Sequence, residues 1–165
     1  MKNKITIINS GYGNLKSLAN AFDYLNCDPI ITEDRKKIEN AKILILPGVG
    51  SFNAGIKSLK KNKIFEIIKQ KTTNEKTPIL GICLGMHLLC AKSNEHGDNK
   101  GLNLIPYNVE SFTKKELKNL KSPHMGFNQI KYNKNSKLLD GLNEKHFYFA
   151  HSYRIAPKKI DNENY

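Results

Sequence analysis

The residues best suited to chemistry stand together in Gly81-Ile82-Cys83-Leu84-Gly85-Met86-His87. Pro78-Ile79-Leu80-Gly81-Ile82 reads as a buried strand and Leu84 to Ala91 as a helix, so Cys83 lies at the turn between them. Glycines on both sides allow a tight turn, the mechanics that present the serine of a hydrolase elbow. A helix start aims free N–H groups at the sulfur and favours the thiolate. The N–H of Leu84 then points where an oxyanion forms in acyl transfer. His87, four residues on, occupies a helix face that can look back toward Cys83. A free cysteine is most often a packing residue, and Cys27 and Cys90 fit that role: one closes the first helix, the other lies on an apolar helix face.

The elements that must hold this turn follow from periodicity. Lys4-Ile5-Thr6-Ile7-Ile8-Asn9 is a β-branched run ended by Ser10-Gly11. Leu15, Leu18, Ala19, Phe22 and Leu25 recur on one face of a helix. Asp28-Pro29-Ile30-Ile31 begins a second strand, and Ala41 to Leu46 forms a third, stopped by Pro47-Gly48-Val49-Gly50. Ala54 to Lys71 reads as helical with an interruption near Lys61-Asn62. This alternation predicts an α/β fold, a mostly parallel sheet with helices on both faces. After the polar loop Ser93 to Lys100, Tyr107 to Phe112, Gly126 to Tyr132 and His146 to Tyr153 are strand-like. No repeat, linker or low-complexity segment divides the chain, so residues 1–165 are expected to form a single domain.

Composition narrows the function. The net charge is +12, yet nearly all of it is scattered lysine, and arginine occurs only at Arg35 and Arg154. Without an aromatic-interleaved basic stripe, nucleic-acid binding is not expected; such a surface can equally attract phosphorylated small molecules or an acidic partner. No apolar run approaches the ~20 residues of a membrane span. The start of the chain has no secretory pattern, so the cytoplasm is the expected location and no membrane association is foreseen. Three cysteines without paired spacing argue against disulfides, and no Cys/His cluster has metal-ligand spacing. No cofactor and no metal are expected.

Across its length the sequence resembles the class I (triad-type) glutamine amidotransferases, and within them the glutaminase subunits of imidazole glycerol phosphate synthases. Besides the Cys83 turn, the resemblance rests on Gly11-Tyr12-Gly13-Asn14-Leu15-Lys16-Ser17, Leu46-Pro47-Gly48-Val49-Gly50-Ser51-Phe52 and Gly101-Leu102-Asn103-Leu104-Ile105-Pro106. It also includes Pro123-His124-Met125-Gly126-Phe127-Asn128-Gln129 and Tyr148-Phe149-Ala150-His151-Ser152-Tyr153. The resemblance implies that Cys83 attacks the amide of L-glutamine and that backbone N–H groups of Val49 and Leu84 hold the oxyanion. Gly48 and Gly50 then flank a peptide able to flip, and His87 contacts the substrate where the family usually has glutamine. It further implies a heterodimer with a cyclase subunit, a (β/α)8 barrel that uses the ammonia to make imidazole glycerol phosphate in histidine biosynthesis. Asn14 and Pro123, His124, Met125, Gly126 and Phe127 would face that partner, Phe127 standing where tryptophan is common.

The family's base is a histidine in a His-Pro-Glu segment near the C-terminus, and no His-x-Glu occurs here. His96 is read as a solvated loop residue, His146 as a surface residue, and His124 and His151 as architectural or interface residues. The terminal strands of the fold are therefore expected to be missing, with activity of the chain as it stands in doubt. Two other readings follow: a paralogous subunit for amination of surface sugars, or a non-catalytic protein lacking the His-Glu dyad.

Overall fold

Strand residues that alternate between two apolar faces need helices on both sides, and that requirement organises the first ninety residues. The computed structural model describes residues 2–118, 120–132, 136–143 and 145–156. Strands β1 (Asn3–Ile8), β2 (Cys27–Thr32), β3 (Leu44–Gly48) and β4 (Ile79–Cys83) form a parallel sheet in the order β2-β1-β3-β4. Ile5, Ile7 and Ile45 point to one face and pack on Leu15, Leu18, Ala19 and Phe22 of α1 (Leu15–Tyr24). Ile8, Leu44 and Leu46 join the opposite cluster. There they meet α2 (Arg35–Glu39), α3 (Phe52–Lys61), α4 (Phe65–Thr73) and α5 (Leu84–Leu89) through Ile38, Phe52, Leu59, Ile68 and Leu88, each almost wholly buried. Burial of each such side chain contributes about 1.5–3 kcal/mol. The parallel, doubly covered sheet agrees with the expectation from periodicity.

A second sheet continues from the first unit. Strands β5 (Cys90–Ser93), β6 (Asn99–Lys100), β7 (Ile105–Ser111) and β10 (Tyr153–Ala156) lie in the order β10-β7-β5-β6. The pair β5–β7 is parallel and the other two pairs are antiparallel. A separate antiparallel ribbon joins β8 (His124–Gln129) to β9 (His146–His151). Among the described residues no helix is long and apolar enough to cross a membrane.

Several expected boundaries move. The helix after Cys83 stops at Leu89 instead of reaching Ala91, and Cys90 opens β5 rather than lying on a helix face. The cause is nonlocal: Leu102 N–H donates to Leu88 O (2.9 Å) and Leu104 N–H to Leu89 O (2.8 Å), satisfying carbonyls that a further turn would have used. Leu25 does not belong to the buried face of α1; it caps the helix and is 67% exposed. The expected break near Lys61-Asn62 is present, with Lys63 at φ 57° between α3 and α4. The third strand begins at Leu44, not Ala41, and β8 at His124, two residues before Gly126. Ser152 divides the single strand expected over His146 to Tyr153 into β9 and β10. A short helix α6 (Lys114–Leu117) was not foreseen, although Thr113 and Glu116 form its capping box.

Candidate active site

Cys83 is the last residue of β4 and the N-cap of α5, with φ 54° and ψ −119°. A side-chain-bearing residue in that region costs on the order of 1–3 kcal/mol and persists only when its surroundings impose it. The glycines explain what imposes it. A Cβ on Gly85 would collide with the carbonyl oxygen of Leu46, and one on Gly81 would lie 2.5 Å from Met86 Cα. The first turn of α5 therefore presses directly on β3 and β4, and the chain must reverse within one residue. Cys83 is exposed on the outside of that reversal.

Its side chain borders a cavity of about 440 Å3 that also brings in Val49, Gly50, Leu84 and His87. This volume suits a small ligand. Four of the residues expected at the site thus converge on the cysteine, and Pro123 and Met125, expected at the partner interface, line the same cavity. Val49 is 54% exposed, and Gly50 follows at φ 98° with open space around its Cα, so this part of the loop meets no steric wall. Gly48 is different: a Cβ there would sit 3.2 Å from Leu84 Cβ and from Gly85 N, which ties β3 closely to α5.

The cavity wall also contains residues that sequence reasoning did not single out. Glu95 is the first. Its Oε2 accepts from the N–H of Phe52 (2.7 Å) at the start of α3, its own N–H donates to Ser93 Oγ (3.1 Å), and its carbonyl accepts from Asn99 Nδ2 (2.7 Å). A carboxylate is thereby fixed on the wall. The only hint in the sequence was an acid within a polar loop.

Ala150, Ser152 and Tyr153 are the others, and His151, expected as an architectural or interface residue, stands among them. His151 Nδ1–H donates to Tyr153 O (2.8 Å), and its Nε2 is 3.0 Å from His124 Nδ1. His124 Nε2 lies 2.8 Å from Asn128 Oδ1, and its ring stacks on Phe149 at 4.7 Å. Both nitrogens of each imidazole are engaged, so His151 is a fixed part of the wall. Burial, and secondly the nearby His151, push the pKa of His87 down to about 4, so its ring is neutral at neutral pH. A further cavity of about 350 Å3 lies against Cys83 and His87 and is lined by Ile82, Met86, Phe149 and Arg154.

The remaining expected positions are placed as follows. Cys27 Sγ donates to Leu25 O (3.8 Å) and Cys90 Sγ to Met86 O (3.7 Å). Cys90 is buried and its thiol is pushed up to about 11 by that burial, which keeps it unreactive. Asn14 caps α1, its Oδ1 accepting from Ser17 N–H (3.3 Å). Pro123 precedes β8, on which His124, Met125, Gly126 and Phe127 follow. Met125 and Phe127 are 63% and 73% exposed, Phe127 set edge-on against Tyr148 at 5.2 Å. Among the described residues no group of three or more His, Cys, Asp or Glu side chains is arranged to hold a metal ion.

Comparison with known proteins places the chain among relatives. A family model described as glutamine amidotransferase class-I matches residues 6–164. The chain is 46% identical over 152 residues to imidazole glycerol phosphate synthase subunit HisH 2 of Methanococcus maripaludis, covering 92% of this chain and 74% of that protein. It is 42% identical over 159 residues to imidazole glycerol phosphate synthase subunit HisH of Geobacillus kaustophilus, covering 95% of this chain and 75% of that protein. A crystal structure of a glutamine amidotransferase superposes with a TM-score of 0.59 at 16% identity. That match covers 76% of this chain and 62% of the other, a likeness of fold alone.

Proposed function

The chain belongs to the class-I glutamine amidotransferase family, and from that membership we propose that it hydrolyses glutamine and passes the ammonia to a cyclase subunit making imidazole glycerol phosphate in histidine biosynthesis. The observation that carries this reading is Cys83: an exposed thiol on a strained turn, at a cavity of amino-acid size. The Cys83 thiolate attacks the side-chain amide carbon of glutamine, forming a C–S bond while the carbonyl electrons move to oxygen. N–H groups of Leu84 and Val49 receive that oxyanion. Its collapse breaks the C–N bond, the nitrogen takes a proton and leaves as ammonia, and a thioester remains. Water then cleaves the C–S bond, giving glutamate and the free thiol.

Other residues on the cavity wall suit the rest of the substrate. The Glu95 carboxylate matches the α-ammonium group, and the neutral His87 ring offers the amide one donor and one acceptor. An imidazole with a pKa of about 4 is a poor base for a thiol, so His87 serves as a substrate contact rather than a proton acceptor. The exposed Met125, Phe127 and Tyr148 on β8 and β9 supply the apolar patch for a (β/α)8-barrel partner in a heterodimer. The names of the relatives, subunits of imidazole glycerol phosphate synthase, support the pathway.

A chloroketone analogue of glutamine tests the site without needing full turnover. It should alkylate Cys83 alone, glutamine should protect against it, and Cys83→Ala should remove both labelling and glutamate formation. Equal labelling of Cys27 or Cys90, or glutamate formation surviving Cys83→Ala, would remove the nucleophile from this reading.

A further inference from the structure

A cavity of about 460 Å3, which Cys83 does not line but which shares Met125 with the cavity at Cys83, is walled by α6, β8 and β10 and lined by Phe112, Glu116, Leu120, Lys121, Met125 and Arg154 among others. Its charges do not balance. Glu116 is fully engaged: Oε2 accepts from the N–H and hydroxyl of Thr113 (2.8 Å each), and Oε1 accepts from Arg154 Nη2. The Thr113 N–H first, then its hydroxyl and Arg154, hold the Glu116 carboxyl down at about 2. Arg154 spends Nη2 on this bond and lays its guanidinium over Phe112, 5.6 Å from the ring centre. Its Nη1 is out of solvent and has no hydrogen-bond acceptor.

A buried donor left without an acceptor costs about 1–3 kcal/mol, and more when charged. Lys121, at the same cavity, forms no ion pair among the described residues. Two cations, the held Arg154 and the exposed Lys121, thus face one carboxylate that is already used. Around them the walls are apolar, and Leu120 and Met125 are 74% and 63% exposed.

Resting on the partner reading above, we propose that this cavity is the socket for an acidic side chain of the protein partner, its carboxylate entering beside Leu120 and Met125 to pair with Lys121 and with the Arg154 guanidinium that lines the cavity. The arrangement favours a protein over a free anion because only a protein surface also covers the exposed apolar rim. Arg154 has already lost much of its water in the folded chain, so pairing adds little further desolvation on this side. A partner carboxylate left outside would meet only scattered lysines in high dielectric, where a pair is worth little. In the socket the interaction is charge-assisted and water-poor.

The test measures binding of the full chain to the cyclase subunit from the same genome by titration calorimetry at low and high salt. Lys121→Glu and Arg154→Gln should each weaken the complex at least tenfold and flatten its salt dependence, while Lys36→Glu, on distant α2, should change affinity less than twofold. Lys121→Glu keeps the test informative if Arg154→Gln fails to fold. A wild-type complex that tolerates both socket variants overturns the socket and leaves the partner reading intact. So does equal weakening by Lys36→Glu, which would mean bulk charge alone. Stabilisation of the wild type by acetate, lost in Lys121→Glu without any change in partner affinity, would make it a small-anion site instead. Absence of any wild-type complex defeats the partner reading and the socket with it.

Discussion

His87 shows how one side chain couples the site to the stability of the fold. Its ring is held neutral because burial removes the water that a cation needs and His151 stands beside it. The folded-state pKa, about 4, lies below the ordinary 6.5. Between those values the unfolded chain binds the proton and the folded chain does not, so ν in the unfolded state exceeds ν in the native state and stability rises with pH. The contribution is fully present above pH ~6.5 and is lost as pH falls toward ~4, amounting to about 2 kcal/mol once the ring's partial exposure is allowed for. His87→Gln, which keeps a donor and an acceptor but cannot titrate, should therefore flatten the fall in urea stability between pH 6.5 and 4. An unchanged acid limb in that variant would show that His87 does not carry it.

At the scale of elements, the close approach of α5 to β3 and β4 is what turns the end of a half-buried edge strand into a presenting surface for Cys83. Gly85→Ala tests this directly. The added methyl meets the Leu46 carbonyl, a backbone atom in mid-sheet that cannot withdraw, so the expected cost is about 3 kcal/mol or more. Gly55→Ala is the contrast: its methyl meets Leu88 Cδ atoms at 2.9 and 3.0 Å, ends of a side chain that can rotate, and about 1 kcal/mol should suffice. Equal costs in denaturant melts would mean that the packing of α5 is not the constraint. The same elements show what a sequence can display. The apolar runs of β1 and β3 and the Gly-x-Cys-x-Gly turn are local signals, and they point to the parallel sheet and to Cys83 at a strand–helix turn, as the structure has them. The end of α5 was illegible because Leu102 and Leu104, more than a dozen residues downstream, take its last carbonyls. The His124–His151 pair depends on the register of β8 and β9 across 27 residues, and Glu95 on a loop folding back over α3. None of these has a local pattern. The capping box of α6 is by contrast a local pattern, Thr113-Lys114-Lys115-Glu116.

Taken as a whole molecule, the chain brings the proposed nucleophile Cys83 to a cavity, and the His-x-Glu pattern of the family's acid–base pair does not occur in its sequence. Its five histidines are His87, His96, His124, His146 and His151, and none is followed by a His-x-Glu carboxylate. His96 is exposed in the loop before β6, and His146 opens β9 on the surface. Of the two at the cavity, His87 is too weak a base and His151 has both ring nitrogens engaged. In the proposed reaction a thiolate attacks without a base and the departing nitrogen can draw its proton from solvent, whereas hydrolysis of the thioester needs an activated water. A positioned imidazole contributes on the order of 10²–10⁴ to such a step. The 165-residue chain should therefore acylate faster than it deacylates: with excess glutamine, intact mass should show a glutamyl adduct on Cys83 and about one equivalent of ammonia before slow glutamate release. Hydroxylamine should discharge the adduct as a hydroxamate and regenerate the free thiol, as expected of a thioester. Rapid steady glutamate release with no adduct, abolished by His87→Ala, would overturn this and make His87 the base that the sequence otherwise lacks.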